Sequence, residues 1–459
     1  MRGLGARISA AGARPVSTAS LAVFRVAFGI AMAYNALLYA VPSRVRDYYV
    51  EPSINFPYPP FSFVTPVPGD WMYAVYAGMV LTGLLIAVGL WYRVAMAAFF
   101  VLTTYVFLLD STYYQNHEYL VSLLAFLMIF LPAHRMWSVD AWRSSRVASE
   151  TVSAWVVWLL RFQIGVPYFF GGVAKLNFDW LRGEPLRMWL ERRTHVEVIG
   201  PLFSNEAVVF FMAYGSLVFD LAVVWFLLYH RTRIAAFAVA TAFHLLNARL
   251  WGLYIFPWLM IAATTIYFSP DWPLRVRSKL EQWWPRLRSL PGRATRPVGG
   301  GATGGEGAPR MAPVLVLFLA AWMAVQVLLP FRHFTMPGSV HWTEQGHRFA
   351  WHMMLREKSG TATFFVADGE GPREVNPRDY LGDRQAARLP GHPERLVQFS
   401  RELAERYDAT EVRVETWVSL NGREPQRIVD PEANLAEVSL PRWGEAEWLV
   451  PLEQPLRPD

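Results

Sequence analysis

The run AWVVWLLRFQIGVPYFFGGVAKLNFDW, residues 154–180, decides how the chain is read. About 20 mostly apolar residues are what a helix needs to cross the hydrocarbon core of a bilayer. Here the apolar stretch closes on Gly171-Gly172 and then Lys175. Ionisable groups inside such a run are costly and by default mark function, and this one holds Arg161 within it and Lys175 at its end. The whole composition agrees with a membrane setting. Of 459 residues, 53% are hydrophobic and only 17% charged, against about a quarter charged in a soluble protein. There is no cysteine, which excludes disulfides, iron–sulfur clusters and thiol nucleophiles.

Eight further runs have the same character, at about 19–41, 72–91, 94–110, 119–132, 206–229, 234–248, 250–268 and 312–330. With the 151–175 run they predict nine spans, of which the fourth and seventh are short enough to need a re-entrant or thinned setting. The expected fold is therefore a polytopic α-helical membrane bundle over residues 1–330, followed by an α+β extracytoplasmic domain over 331–459. In that domain Thr361–Val366 and Val412–Ser419 alternate as strands do, and Glu394–Tyr407 is amphipathic with a helical period. The stretch PVGGGATGGEGA at 297–308 reads as a flexible cytoplasmic linker. It lacks the strand–turn–helix context and the Lys-Ser/Thr of a phosphate loop.

Forty-three Lys and Arg against 37 Asp and Glu give a net charge of +6. In a membrane protein that excess reports topology, and no nucleic-acid partner is expected. Five basic groups (Arg2 to Arg14; Arg93; Arg135 to Arg146; Arg231 and Arg233; Arg275 to Arg310) share one side of a nine-span chain. That side is expected to be the cytoplasm, with the N-terminus inside. The loop 176–205, with Arg182, Arg187, Arg192 and Arg193, runs against the rule.

On this topology several polar residues arrive at the outer level beneath the C-terminal domain: Asn116 and His117, Lys175, and His244 with Asn247. Gly171 and Gly172 would let a backbone or a flat ligand approach closely. A lysine wedged there and stripped of water becomes a usable base. Arg25, Arg161 and Asp220 read as charge partners holding the bundle together. The imidazoles lack ligand spacing, so no metal is expected. Trp351, Met353 and Met354 form an apolar, adaptable wall suited to a lipid-soluble aromatic ligand.

Taken together, these residues resemble the vitamin K-dependent γ-glutamyl carboxylase family and its bacterial relatives, whose membrane part is called the horizontally transferred transmembrane domain. The likeness runs in order through Asn116-His117-Glu118-Tyr119-Leu120, Gly172-Val-Ala-Lys175-Leu-Asn-Phe-Asp179-Trp180 and Phe243-His244 with Asn247. It continues through Phe268-Ser-Pro-Asp271-Trp272-Pro273, Trp342-Thr343, Trp351 with Met353-Met354, and Trp417-Val-Ser-Leu-Asn421. The resemblance implies an enzyme that oxidises vitamin K hydroquinone (a phylloquinol or menaquinol) with O₂ to its epoxide. The same enzyme adds CO₂ to a glutamate of a protein or peptide partner, giving γ-carboxyglutamate. On the same footing Lys175 is the base, Asn116, His117 and His244 lie beside the quinone, and Trp351, Met353 and Met354 bind it. The chain departs from the family at Gly346 and His347, in a stretch tied to glutamate binding. Two readings stand beside this one: epoxidation without carboxylation, and a non-enzymatic immunity or transport protein on the same bundle. The expected location is a bacterial inner membrane with the C-terminal domain in the periplasm.

Overall fold

The structure, a computed structural model, describes residues 2–40, 44–283, 310–367, 371–441, 443, 444 and 446–456. The linker at 297–308 lies outside the described residues, as do Arg286, Arg288, Arg293 and Arg296. An N-terminal helix α1 (Arg2–Ala13) precedes the apolar helices α2 (Ala19–Ala40), α3 (Trp71–Val88), α4 (Tyr92–Leu109), α5 (Asn116–Phe130), α6 (Ala154–Ala174), α7 (Glu206–Leu228), α8 (Arg233–Trp251) and α9 (Phe256–Thr264). The amphipathic α10 (Trp272–Trp283) and the apolar α11 (Pro313–Phe331) follow. Seven of these helices are long and apolar enough to cross a membrane, and α5 and α9 are shorter apolar helices. The protein is an integral membrane bundle.

One length expectation is corrected. The seventh run is a full 19-residue helix, because Gly252 in the left-handed conformation (φ 60°) stops α8 only after Trp251. The eighth run is the short one, since its helix does not start until Phe256 with Pro257 in its first turn.

Close helix contact is bought with small residues. A Cβ on Gly29 would lie 2.5 Å from Ala87 N and 2.6 Å from Gly83 O, so α2 and α3 cross with their backbones touching. The arginines do not pair with Asp220 as expected. Arg25 donates to the carbonyls of Ala133 (3.1 Å), Met136 (3.2 Å) and Ala87 (3.2 Å). Arg161 donates to those of Ile266 and Phe268, both at 2.9 Å. Each guanidinium thus ties off helix-end carbonyls that would otherwise be orphaned.

At one end of the bundle, strand β1 (Pro15–Ser17) pairs antiparallel with β2 (Thr151–Ser153), and Met311 N donates to Ser9 Oγ at 2.9 Å. The other end meets the C-terminal domain. There β3 (Lys358–Ala367) is central between β4 (Pro372–Val375) and β5 (Glu411–Leu420), all antiparallel, with Thr361 opposite Trp417. Helix α12 (Pro393–Tyr407) covers the sheet, setting Phe399 edge-on to Phe364 at 4.8 Å. Ile54 and Phe56, from the connection between α2 and α3, sit in the same core.

Three of the four arginines that broke the charge rule are held by polar protein groups. Arg187 bonds Glu184 (2.6 Å) and Glu206 (2.7 Å), Arg192 bonds Glu357 (2.7 Å), and Arg193 donates to Leu250 O (2.6 Å). Arginines spent on such partners carry little topological signal.

Candidate active site

Lys175 caps the C-terminal end of α6, its N–H donating to Gly172 O at 3.1 Å. The turn that follows is fixed by Asn177, which donates to Ala174 O (2.8 Å) and accepts from Trp180 N (3.0 Å). Both Lys175 and Asp220 of α7 are buried, at 6% and 4% exposure, and their side chains form an ion pair. The ammonium also lies 5.4 Å over the Trp180 ring. The expected lone amine is therefore a lysine with a buried carboxylate for a partner, an arrangement that proximity along the chain could not reveal.

Gly171 opens space on the same helix face. Where its Cβ would stand, Met353 Cε lies at 2.8 Å and Asp220 Oδ2 at 3.4 Å, so Met353 reaches down from the C-terminal domain beside the ion pair. Gly172 faces α7 instead, its missing Cβ replaced by Leu221, with Leu221 N at 2.9 Å. Tyr168 shares the stripe of Gly171 and Lys175, three and seven residues back, a spacing visible in the sequence. Its hydroxyl lies 2.6 Å from His244 Nε2 and 3.3 Å from Thr264 Oγ1. His244 Nδ1 is buried with no hydrogen-bond partner among the described residues. Such an orphan next to a site is a place where a polar ligand atom would be welcome.

Phe256 joins the two imidazoles. His117 stacks on it at 5.3 Å and 30°, and His244 meets it edge-on at 6.1 Å. Asn116 is committed to the protein: it donates to His352 O (3.0 Å) and accepts from Tyr114 (3.0 Å). Tyr114 in turn accepts from Phe349 N at 2.7 Å. Trp351 is buried and packs 5.0 Å from the Tyr119 ring, while Met354 is 42% exposed. Asn247 is not drawn in. Its carbonyl accepts from Trp251 (3.0 Å), whose ring meets Trp189 and Arg193 on a different side. Lys175, Gly171, Met353, His244, His117 and Asn116 thus form one connected set. Asp220, Tyr168, Thr264 and Phe256 are the members that sequence reasoning missed.

Above this set the segment 344–354 is charged but internally balanced. Burial alone would raise the Glu344 carboxyl, yet Arg356 (2.6 Å), Lys358 (2.9 Å) and His347 (3.0 Å) outweigh it and hold it well below the usual range. Burial pulls the Lys358 ammonium down to about 8 and the His341 imidazole to about 4. Among the described residues no group of three His, Asp or Glu side chains is arranged to hold a metal.

Two family models match. The HTTM domain covers residues 13–272, and the vitamin K-dependent gamma-carboxylase lumenal domain covers 311–455. The chain belongs to the vitamin K-dependent gamma-carboxylase family. No solved structure matches it. Membership makes the protein carboxylase-like and dependent on vitamin K, and assigns the C-terminal α+β part to the family's lumenal domain.

Proposed function

We propose that this protein oxidises a vitamin K hydroquinone with O₂ to the epoxide and couples that oxidation to carboxylation of a protein glutamate. In balance, the quinol and O₂ give epoxide and water, while one C–H bond of glutamate breaks and a C–CO₂⁻ bond forms, with a proton released. The observation that carries the reading is the buried Lys175–Asp220 pair beside the bare backbone of Gly171, under Met353 and near the orphaned Nδ1 of His244. A flat, lipid-soluble quinol fits a site with one missing Cβ, a thioether wall and an imidazole nitrogen in need of a partner.

The pair acts as one base. It takes up one proton from the quinol, leaving the lysine cation beside the quinol anion it stabilises. His244, held by Tyr168, and His117, held against Phe256, are the polar groups that meet the quinol oxygens. Water must be kept out so that the strong base formed by oxidation reaches carbon before it is quenched; burial of both Lys175 and Asp220 supports this. The ends of the helices support the expected orientation, with α1 and the β1–β2 pair cytoplasmic and the lumenal-type domain on the periplasmic side of a bacterial inner membrane.

The second reading, epoxidation without carboxylation, is favoured by one feature. Arg356 and Lys358, cations suited to a substrate carboxylate, are already neutralised by Glu344. Purified protein is given hydroquinone and O₂ and assayed for epoxide, then given labelled CO₂ and a Glu-containing peptide. Label in the peptide supports carboxylation. Epoxide with no label rejects it in favour of the second reading. Neither product, with indifference to Lys175→Ala, rejects both.

A further inference from the structure

Among the outer halves of α2 to α5, under the C-terminal domain, lies a polar cavity of about 40 Å³. Since about 10–15 Å³ holds one water, it has room for about two or three. Tyr39, Tyr48, Tyr49, Tyr76 and Tyr113 wall it, and a phenol both donates and accepts a hydrogen bond. Tyr76 packs on Tyr39 (6.1 Å), Tyr39 on Tyr48 (6.4 Å) and Tyr48 on Tyr113 (4.3 Å), ring to ring. Tyr48 accepts from Arg384 at 3.0 Å, on the short helix Asp383–Arg388 where the C-terminal domain meets the cavity. Neither Lys175 nor His244 nor Phe256 lines this space, but Glu118 of α5 does.

The chemistry proposed above makes no use of Glu118. Its side chain, 22% exposed, accepts from Asn35 at 3.4 Å and stands 3.6 Å from His117 Nε2; among the described residues no Lys or Arg pairs with it. A carboxylate among apolar helices is costly and by default marks function. His117, the residue before it, stacks on Phe256. An imidazole has two distinct nitrogens, so it can receive a proton on one and release a proton from the other.

We infer that His117, Glu118 and the tyrosine-walled cavity form a proton exit from the quinol site to the outer aqueous face, with Glu118 as the relay carboxylate. The inference rests on the function proposed above. Both quinol O–H bonds break in a coupled turnover. The Lys175–Asp220 pair takes one proton and returns it to the oxygen that leaves as water, whose other hydrogen comes from glutamate. The second quinol proton has to leave, one for each carboxylation. It forms an N–H bond on His117, then an O–H bond on Glu118, and passes to water in the cavity. Contacts such as the 3.6 Å gap often tighten only when ligand is bound. Protons thereby pass while the stack of His117 on Phe256 keeps water from the base.

The test uses the full chain in nanodiscs with hydroquinone, O₂, labelled CO₂ and a Glu-containing peptide, and compares the first turnover with the steady state. Glu118→Gln should keep its first turnover within about two-fold, because His117 still accepts one proton, while its steady-state rate falls at least about ten-fold. Glu118→Asp, or added imidazole as a small proton carrier, should restore most of the steady state. Thr103→Leu, which narrows the cavity from α4, repeats the test should Glu118→Gln misfold. Infrared spectroscopy reads the route without turnover. Acidification to about pH 4, the usual carboxylate range, should bring up a protonated-carboxyl band that Glu118→Gln lacks and Thr103→Leu delays. An equally slow first turnover, an unchanged steady state, no such band, or one that rises at the wild-type rate in Thr103→Leu overturns the inference. If wild type labels no peptide while the band behaves as expected, the proposed carboxylation fails and the proton route stands.

Discussion

Removing the Asp179 carboxylate should loosen the loop that positions Lys175. Asp179 lies four residues beyond that lysine and accepts from Arg423 at 2.6 and 2.7 Å and from Asn421 at 2.7 Å. All three are buried, at 7%, 6% and 2% exposure. Asp179→Asn leaves a buried guanidinium facing an amide, and breaking a buried pair from one side costs about 3–5 kcal/mol. At about 2–4 °C per kcal/mol for a domain of this size, the melting temperature should fall by on the order of 10 °C. Replacing both partners with apolar groups of similar size is close to neutral in such pairs, so Asp179→Leu with Arg423→Met should regain most of the loss. The assay is tryptophan-fluorescence melting in detergent together with epoxide formation at a temperature where each variant is folded. Folded Asp179→Asn should turn over more slowly, because the turn after Lys175 keeps its Asn177 bonds but loses its anchor to Arg423 and Asn421. The reasoning is refuted if the single variant melts within about 2 °C of wild type, or if the double variant is the less stable of the two.

Lys175→Ala and Asp220→Asn should each reduce epoxide formation by two orders of magnitude or more, measured on folded protein; a wild-type rate in either removes that member from the base. Tyr168→Phe deprives His244 Nε2 of its partner and should slow epoxidation by about ten-fold while shifting stability by only about 1 kcal/mol, checked by kinetics and melting side by side. Acid should destabilise the C-terminal domain. Burial holds His341 at about 4, facing Arg356, Lys358, Glu344 and Asp179, and pulls His347, His352 and His392 down as well. Below the usual imidazole value the unfolded chain then binds more protons than the folded one, so stability falls with pH from 7 to 5. His341 alone contributes about 2 kcal/mol of that loss at pH 5. Glu344, depressed in the folded state, adds a loss in the same direction at lower pH, and melting curves from pH 7 to 4.5 decide the sign.

Hydropathy made the bundle legible because a spanning helix must be apolar along its whole length, whatever it packs against. It misjudged α8 because His244, Asn247 and Arg249 shorten the apolar window, whereas the backbone runs on until Gly252. The strands and α12 were legible from their periods, since one face of each is buried in the domain core. Lys175, Gly171, His117, His244 and Met353 could be named from the chain as candidates; packing sets Met353 on Gly171 and joins His117 and His244 through Phe256. Asp220 was assigned to the wrong cation because a pairing across 45 residues depends on how α6 lies on α7, which Gly172 against Leu221 determines. Tyr168 left a readable trace in its spacing. Asn247 stands three residues from His244, yet its side chain is taken by the Trp251 indole N–H on the next turn.

Least legible was the cover. Within 344–354, Glu344, Phe349, Trp351 and Met354 all have positive φ, between 53° and 64°, at about 1–2 kcal/mol each for side-chain-bearing residues. Local sequence would not choose that path, so contacts must impose it. Tyr114 takes the Phe349 N–H, Asn116 takes the His352 carbonyl, Arg332 takes the Arg348 carbonyl, and Glu344 is held by Arg356, Lys358 and His347. Both anchors before α5's second residue belong to the bundle, so the cover is fastened to the same helix start that presents His117. On the proposed function, Asn116 would act on the site through the cover it holds. The His244 Nδ1, without a hydrogen-bond partner among the described residues, is then an atom proposed to meet a quinol oxygen.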